Sequence, residues 1–100
     1  MLNQLANVLN YNEVKELEYI LNNKSISTVY QPIVSLLDGS IIGYEALSRG
    51  PIGSPLERPD KLFEAAQIHN KTWELEQLCR IKAIERAADI YSFQYQLPFK

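Results

Sequence analysis

The chain has 100 residues, 46% apolar and 22% charged, with a formal net charge of −2 and a single cysteine. That size and balance suit one small folded domain, and they exclude a disordered chain, an internal disulfide framework and any long-range attraction for nucleic acid or anionic membrane. No apolar run approaches the ~20 residues of a membrane span and no secretory signal opens the chain, so a cytoplasmic protein with Cys79 in a reducing compartment is expected.

Residues 2–22 show helical spacing, with Leu2, Leu5 and Leu9 on one stripe and Val14, Leu17, Ile20 and Leu21 on another. Asn10-Tyr11-Asn12 separates them, and Asn12 can cap a second helix with Glu13 and Glu16 near its positive end. One bent helix or two short ones fit the pattern. The segment reads either as a helix packed on its own domain or as a linker or dimer helix; a coiled coil needs about three or four heptads. Asn22-Asn23-Lys24-Ser25 then forms a polar turn.

Ile26 to Leu36 is rich in strand formers, and Pro32 within it points to an edge strand or a local break. Asp38-Gly39 is a hairpin turn signal, and Ser40 to Leu47 is the return strand. The loop from Ser48 to Arg58 carries Gly50, Pro51, Gly53 and Pro55. Pro59 suits a first helical position and Asp60 the first turn of a helix to about His69, with Leu62, Phe63, Ala66 and Ile68 facing inward. Asn70-Lys71 breaks that helix. Thr72 can cap a longer one through about Tyr91, with Leu75, Leu78, Ile81, Ile84, Ala88 and Tyr91 on one buried face. Tyr91, Phe93 and Tyr95 alternate as in a strand, although Gln94, Gln96 and Pro98 fit a connecting loop equally well.

The chemistry concentrates between Gln31 and Pro51. The return strand ends in Glu45-Ala46-Leu47-Ser48-Arg49, a carboxylate followed by a cation that a core does not need. Alone, such a pair is usually a solvated strand face. Whether Gln31 and Glu45 share a sheet face depends on the turn, because side chains alternate. A two-residue Asp38-Gly39 loop pairs Leu37 with Ser40 and turns Glu45 away from Gln31. A three-residue loop, Leu37-Asp38-Gly39, pairs Leu36 with Ser40 and sets Gln31 opposite Glu45. The longer form is expected, with Gly39 in the left-handed position of a bulge.

The combined pattern of Gln31-Pro32-Ile33-Val34, Asp38-Gly39, Gly43-Tyr44-Glu45-Ala46-Leu47 and Arg49-Gly50-Pro51 closely resembles the signature of the EAL domain family. The Pro59-to-Ala66 segment and the helix through Cys79 and Ala83 also look like that family. Those domains hydrolyse cyclic di-GMP to linear pGpG in bacterial second-messenger signalling; degenerate relatives bind it, or a protein partner, without catalysis. The resemblance implies an α/β fold, a TIM-like (β/α)8 barrel whose first strand runs against the others. Barrels of this kind take about 250 residues. Residues 1–24 would be an N-terminal helical segment or linker, and residues 25–100 the N-terminal third of the domain: hairpin, then two helices.

By the same resemblance, Glu45 is a catalytic metal ligand for Mg2+ or Mn2+ in the complete domain. Gln31 and Arg49 contact the nucleotide, Leu47 lines its site, and Pro32 touches a base. The chemistry agrees: splitting a phosphodiester needs charge neutralisation, an activated water and in-line positioning, which paired divalent ions with oxygen ligands provide. Arginine offers a bidentate grip on phosphate or on a guanine edge. The family's other ligands (an asparagine, a further glutamate and an aspartate pair), its catalytic lysine and a later carboxylate have no counterparts in this sequence. The 100 residues alone are therefore expected to be inactive, helix-rich, marginal in stability and prone to form a homodimer or otherwise self-associate. The parent would be a metal-dependent hydrolase, with a sensory or GGDEF-type partner domain, no nucleic-acid polymer as ligand and no membrane segment in this chain.

The remaining candidates read as structural. His69 is the only histidine, so no histidine cluster or Cys/His zinc site exists; it suits the negative end of a helix. Cys79 reads as a small core residue beside Leu75 and Leu78, and Trp73 as packing against a neighbouring layer.

Overall fold

The computed structural model describes residues 2–95, with side-chain surroundings from residue 11 to residue 91. Helix α1 (Leu2–Asn23) precedes strands β1 (Ser27–Val34) and β2 (Ile41–Arg49), followed by helices α2 (Pro59–Ile68) and α3 (Thr72–Tyr95). Mixed helix and strand in this order match the expected helix, hairpin and two helices.

The expected interruption of α1 is absent: the helix runs unbroken through Asn10-Tyr11-Asn12, and Asn12 caps nothing. No glycine or proline stands there, and an asparagine costs a helix interior only about 0.7 kcal/mol. The Leu2, Leu5 and Leu9 stripe lies outside the described side chains. The C-terminus of α1 closes as a Schellman motif, with Ser25 N–H donating to Ile20 carbonyl (2.9 Å), Lys24 N–H to Leu21 carbonyl (3.4 Å), and Lys24 at φ 54°. Helix α2 ends the same way. Lys71 N–H reaches Ala66 carbonyl (2.7 Å), Asn70 N–H reaches Gln67 carbonyl (3.4 Å), and Asn70 adopts φ 56°. Asparagine tolerates that left-handed position better than most residues, so Asn70 breaks the helix where the sequence says it should.

The core joins Leu17 and Ile20 of α1 to Leu62, Ala65 and Ala66 of α2 and Leu75, Leu78 and Cys79 of α3, with Ile26 and Leu56 from the connections. Two polar contacts fasten α1 to this body: Ser54 Oγ donates to Glu16 Oε1 (2.8 Å), and His69 Nε2 lies 3.1 Å from Glu13 Oε1. Pro59 opens α2 as expected, with Asp60 in the first turn. Ile68 was expected inside and is exposed. It follows the last inward pair, Ala65 and Ala66, at an angle that turns it outward.

Helix α3 departs further from expectation. Its first intrahelical bond runs from Leu75 N–H to Lys71 carbonyl (3.0 Å), so Lys71 holds the cap position and Thr72 lies one residue inside it. The helix continues to Tyr95, so neither a strand nor a loop begins at Tyr91; the side chains of Phe93 and Tyr95 and the exit through Pro98 lie outside the described residues. Leu75 and Leu78 are buried, but Ile81 and Ile84 are 52% and 64% exposed, and Ala88 and Tyr91 are exposed too. A helix turns about 100° per residue, so each three-residue step lags by about 60°. The series 75, 78, 81, 84 therefore winds from the core to the far side. Trp73 stands on that far side and is exposed, not packed against a neighbouring layer.

Candidate functional site

The hairpin decides what the motif residues can do together. The strands pair antiparallel, with Ser27 opposite Arg49, Val29 opposite Leu47, Gln31 opposite Glu45 and Ile33 opposite Gly43. Gln31 and Glu45 thus face each other as expected, but by another route. Ser35, not Leu36, closes the turn with Ser40: Ser35 N–H donates to Ser40 carbonyl (2.8 Å) and Gly39 N–H to Ser35 carbonyl (2.9 Å). Four residues, Leu36 to Gly39, form the loop. Val34 pairs with Ile41 and Ile33 with Gly43, which leaves Ile42 as the extra residue of a β-bulge. The longer loop alone would misalign the strands by one residue, and the bulge restores the offset. Gly39 takes φ 74°, the left-handed position expected of it. Asp38 Oδ1 accepts from Ser40 Oγ (2.7 Å) and Ser40 N–H (3.0 Å), and these bonds hold the Asp38 carboxyl below its usual range.

Pro32 fits an edge. The sheet has only these two strands, so the far side of β1 is open among the described residues. Ser35 turns its N–H and C=O toward β2. Alternation along the strand then turns the backbone of Pro32 to the open side, where a missing donor breaks no ladder bond.

Side chains alternate in the same way. Thr28 is buried, and Tyr30 Oη donates to the Ala83 carbonyl in α3 at 2.6 Å, so that face of β1 packs on the helix. The opposite face carries Ser27, Val29, Gln31 and Ile33 together with Gly43, Glu45, Leu47 and Arg49. Four of the five predicted site residues, Gln31, Glu45, Leu47 and Arg49, thus share one outward surface. Pro32, the fifth, points to the other side. Glu45 and Gln31 are exposed, while Leu47 and Arg49 are partly covered. Among the described residues, no hydrogen bond or ion pair engages the side chains of Gln31, Glu45 or Arg49.

Three supports hold this surface from behind, and the sequence reading gave them no role. Tyr30 ties β1 to α3 directly behind the Gln31–Glu45 pair. Ser48, between Leu47 and Arg49, lies on the helix-facing side of β2 toward Cys79 of α3. Burial pushes the Cys79 thiol pKa up, and the nearby Ser48 hydroxyl offsets only part of that. Gly50 is buried where the chain leaves β2, its N–H donating to Glu57 carbonyl at 2.9 Å. Strict alternation from Gln31 and Glu45 is the signal that places Tyr30 and Ser48 on the helix-facing side of the strands.

A hard divalent cation requires about six oxygen ligands. Glu45 supplies one carboxylate, and no group of three His, Cys, Asp or Glu side chains among the described residues could hold a metal. The residues present therefore fit one corner of such a centre and not the whole. No helix among the described residues is long and apolar enough to cross a membrane.

An antiparallel hairpin backed by helices thus carries an acid, an amide and a guanidinium on one outward face. The family model of the EAL domain matches residues 14–100, and the chain belongs to that family. EAL domains are cyclic di-GMP phosphodiesterases and generally depend on metal. The match begins within α1. No curated protein and no solved structure matches the chain.

Proposed function

We propose that this chain supplies part of the metal- and nucleotide-binding wall of a cyclic di-GMP phosphodiesterase that yields linear pGpG in bacterial signalling. The observation that supports this is the register: Gln31 lies opposite Glu45, with Leu47 and Arg49 on the same outward surface. In this reading Glu45 is a ligand for Mg2+ or Mn2+, Gln31 and Arg49 hold the nucleotide, and Leu47 lines its site. Pro32 joins the wall through its sequence neighbourhood, since its side chain points away. Bound metal would neutralise phosphate charge and activate water. The chain's own residues orient one ligand carboxylate and one cation against a fixed strand.

Residues 1–24 are an N-terminal helical segment or linker, and residues 25–100 are the first third of a (β/α)8 barrel with an antiparallel first strand. The rest of the metal centre belongs to the complete domain, so these residues alone are inactive. The protein is cytoplasmic, self-associates, and in its parent is coupled to a sensory or GGDEF-type domain. Amide NMR with cyclic di-GMP and Mg2+ tests the reading. Shifts should centre on Gln31, Leu47 and Arg49, with no linear product in the same tube. Shifts centred on another surface refute the site, and robust turnover by protein of verified mass refutes the partial-domain reading.

A further inference from the structure

We infer that Ser54 is a positioning residue: through it, helix α1 holds the loop that fixes the end of β2, and so the setting of Arg49. Arg49 is the last residue of β2, and its ladder partner Ser27 is the first of β1. The sheet restrains the chain up to this point and no further. The next backbone restraint is the bond from Gly50 N–H to Glu57 carbonyl (2.9 Å), which closes the loop 50–57 on itself. No partner among the described residues holds the Arg49 guanidinium. Its direction therefore follows from how that loop closes.

Ser54 organises the loop from within. Its Oγ accepts from Leu56 N–H (3.0 Å), its carbonyl accepts from Glu57 N–H (3.1 Å), and its own N–H donates to Pro51 carbonyl (3.0 Å). The hydroxyl proton leaves the loop and goes to Glu16 Oε1 of α1, at 2.8 Å. A bond to a carboxylate is roughly twice as strong as one between neutral groups. From Ser54 the line to Arg49 is short. The two residues it bonds, Leu56 and Glu57, are the two that fix Gly50: the Leu56 carbonyl lies where a Gly50 Cβ would stand, and the Glu57 carbonyl holds the Gly50 N–H. A displaced Ser54 thus moves both restraints on the residue after Arg49.

Helix α1 runs unbroken from Leu2 to Asn23 and crosses residue 14, where the family match begins, so a shift of its first turns is carried to Glu16 by a rigid element. The other polar tie of α1, from Glu13 to His69 at 3.1 Å, ends at the C-cap of α2 and not in the loop. Two neighbouring carboxylates on one helix therefore lead to different places, and their effects are separable. The coupling of α1 to Arg49 stands on these bonds alone. Its consequence for cyclic di-GMP rests on the nucleotide role proposed for Arg49.

Amide hydrogen exchange of the full chain, read by NMR, tests the coupling, with each variant checked for a cooperative melt and Gly50 compared with the core amides of Ile20 and Leu78. Glu16→Ala keeps a good helix former in α1 and should speed Gly50 exchange about threefold to tenfold relative to that core, with a shift of the Arg49 Nε–H signal. Ser54→Ala, which leaves α1 untouched, should do at least as much. Glu16→Gln retains an acceptor for the hydroxyl and should return Gly50 close to the parent. Glu13→Ala should leave Gly50 and Arg49 at parent values. Unchanged Gly50 exchange in Glu16→Ala or Ser54→Ala overturns the inference. An equal effect of Glu13→Ala also overturns it, since α1 would then be loosening as a whole. With cyclic di-GMP and Mg2+ added, Glu16→Ala should weaken the affinity read from the shifts at least threefold, and Glu13→Ala should not. A parent with no nucleotide-dependent shifts refutes the nucleotide reading alone, because the exchange results decide the coupling without nucleotide.

Discussion

Gly50 sets how the chain leaves β2 beside Arg49, and replacing it with alanine measures that constraint. A Cβ built at Gly50 would overlap the Leu56 carbonyl oxygen and lie 3.0 Å from the Leu56 carbonyl carbon and 3.3 Å from Glu57 Cα. All three obstacles are backbone atoms, so no side chain can rotate aside and the loop itself must move. Overpacking of this kind costs about 1–3 kcal/mol. Displacing the Gly50 N–H from Glu57 carbonyl forfeits about 1 kcal/mol more. The sum, ~2–4 kcal/mol, corresponds to a fall in Tm of about 10 °C or more in a domain of this size. Gly43→Ala is the control. Its nearest neighbour would be Ile33 Cδ1 at 3.9 Å, an ordinary contact. Glycine inside a strand is itself unfavourable by roughly 0.5–1 kcal/mol relative to alanine, so this change should be neutral or mildly stabilising. Urea and thermal melts followed by far-UV circular dichroism compare the two. A Gly50→Ala protein within about 0.5 kcal/mol of the parent refutes the packing assigned to the exit from β2.

Tyr30→Phe removes the bond to Ala83 while keeping the ring, and should cost ~1 kcal/mol in urea unfolding; an unchanged midpoint contradicts the tether. The Thr28 hydroxyl is buried with no partner among the described residues, so Thr28→Val should stabilise by about 1 kcal/mol, and destabilisation would show that the hydroxyl is satisfied. Cys79 has a raised pKa from burial. Its contribution to stability is therefore complete below the unfolded thiol pKa and is lost as pH rises through the higher folded value. The parent's urea midpoint should fall across that alkaline window more than that of Cys79→Ala, and thiol reagents should label Cys79 slowly at pH 8; equal pH profiles with fast labelling contradict the burial.

The hairpin was the most legible part of the chain, and its details show why legibility stops where it does. Alternation and an Asp-Gly turn predict two strands, and the demand that Gln31 meet Glu45 predicts their offset. The route to that offset was hidden. A four-residue loop plus a bulge at Ile42 gives the same pairing as a three-residue loop, and no residue type marks Ile42 as the extra one. In α3 the apolar spacing named a helix correctly but merged two faces, because a run of three-residue steps drifts around the cylinder. Leu75, Leu78 and Cys79 join the core. Ile81 and Ile84, further along, stand on the exposed side. Asn10-Tyr11-Asn12 looked like a break because asparagines favour caps, yet they also tolerate a helix that continues on both sides. The candidate site residues come from their motif. That four of them share a face, and that Pro32 does not, follows from geometry that only the register supplies.

Titration of the full chain with Mn2+, read as paramagnetic broadening of amide signals, tests the role of the outward surface most directly. Broadening should centre on Glu45 and its cross-strand neighbour Gln31, be weak because one carboxylate holds the ion, and vanish in a folded Glu45→Gln protein. Broadening that centres elsewhere, or that persists unchanged in Glu45→Gln, contradicts the assignment of Glu45 as a metal ligand and with it the metal-binding role proposed for this face.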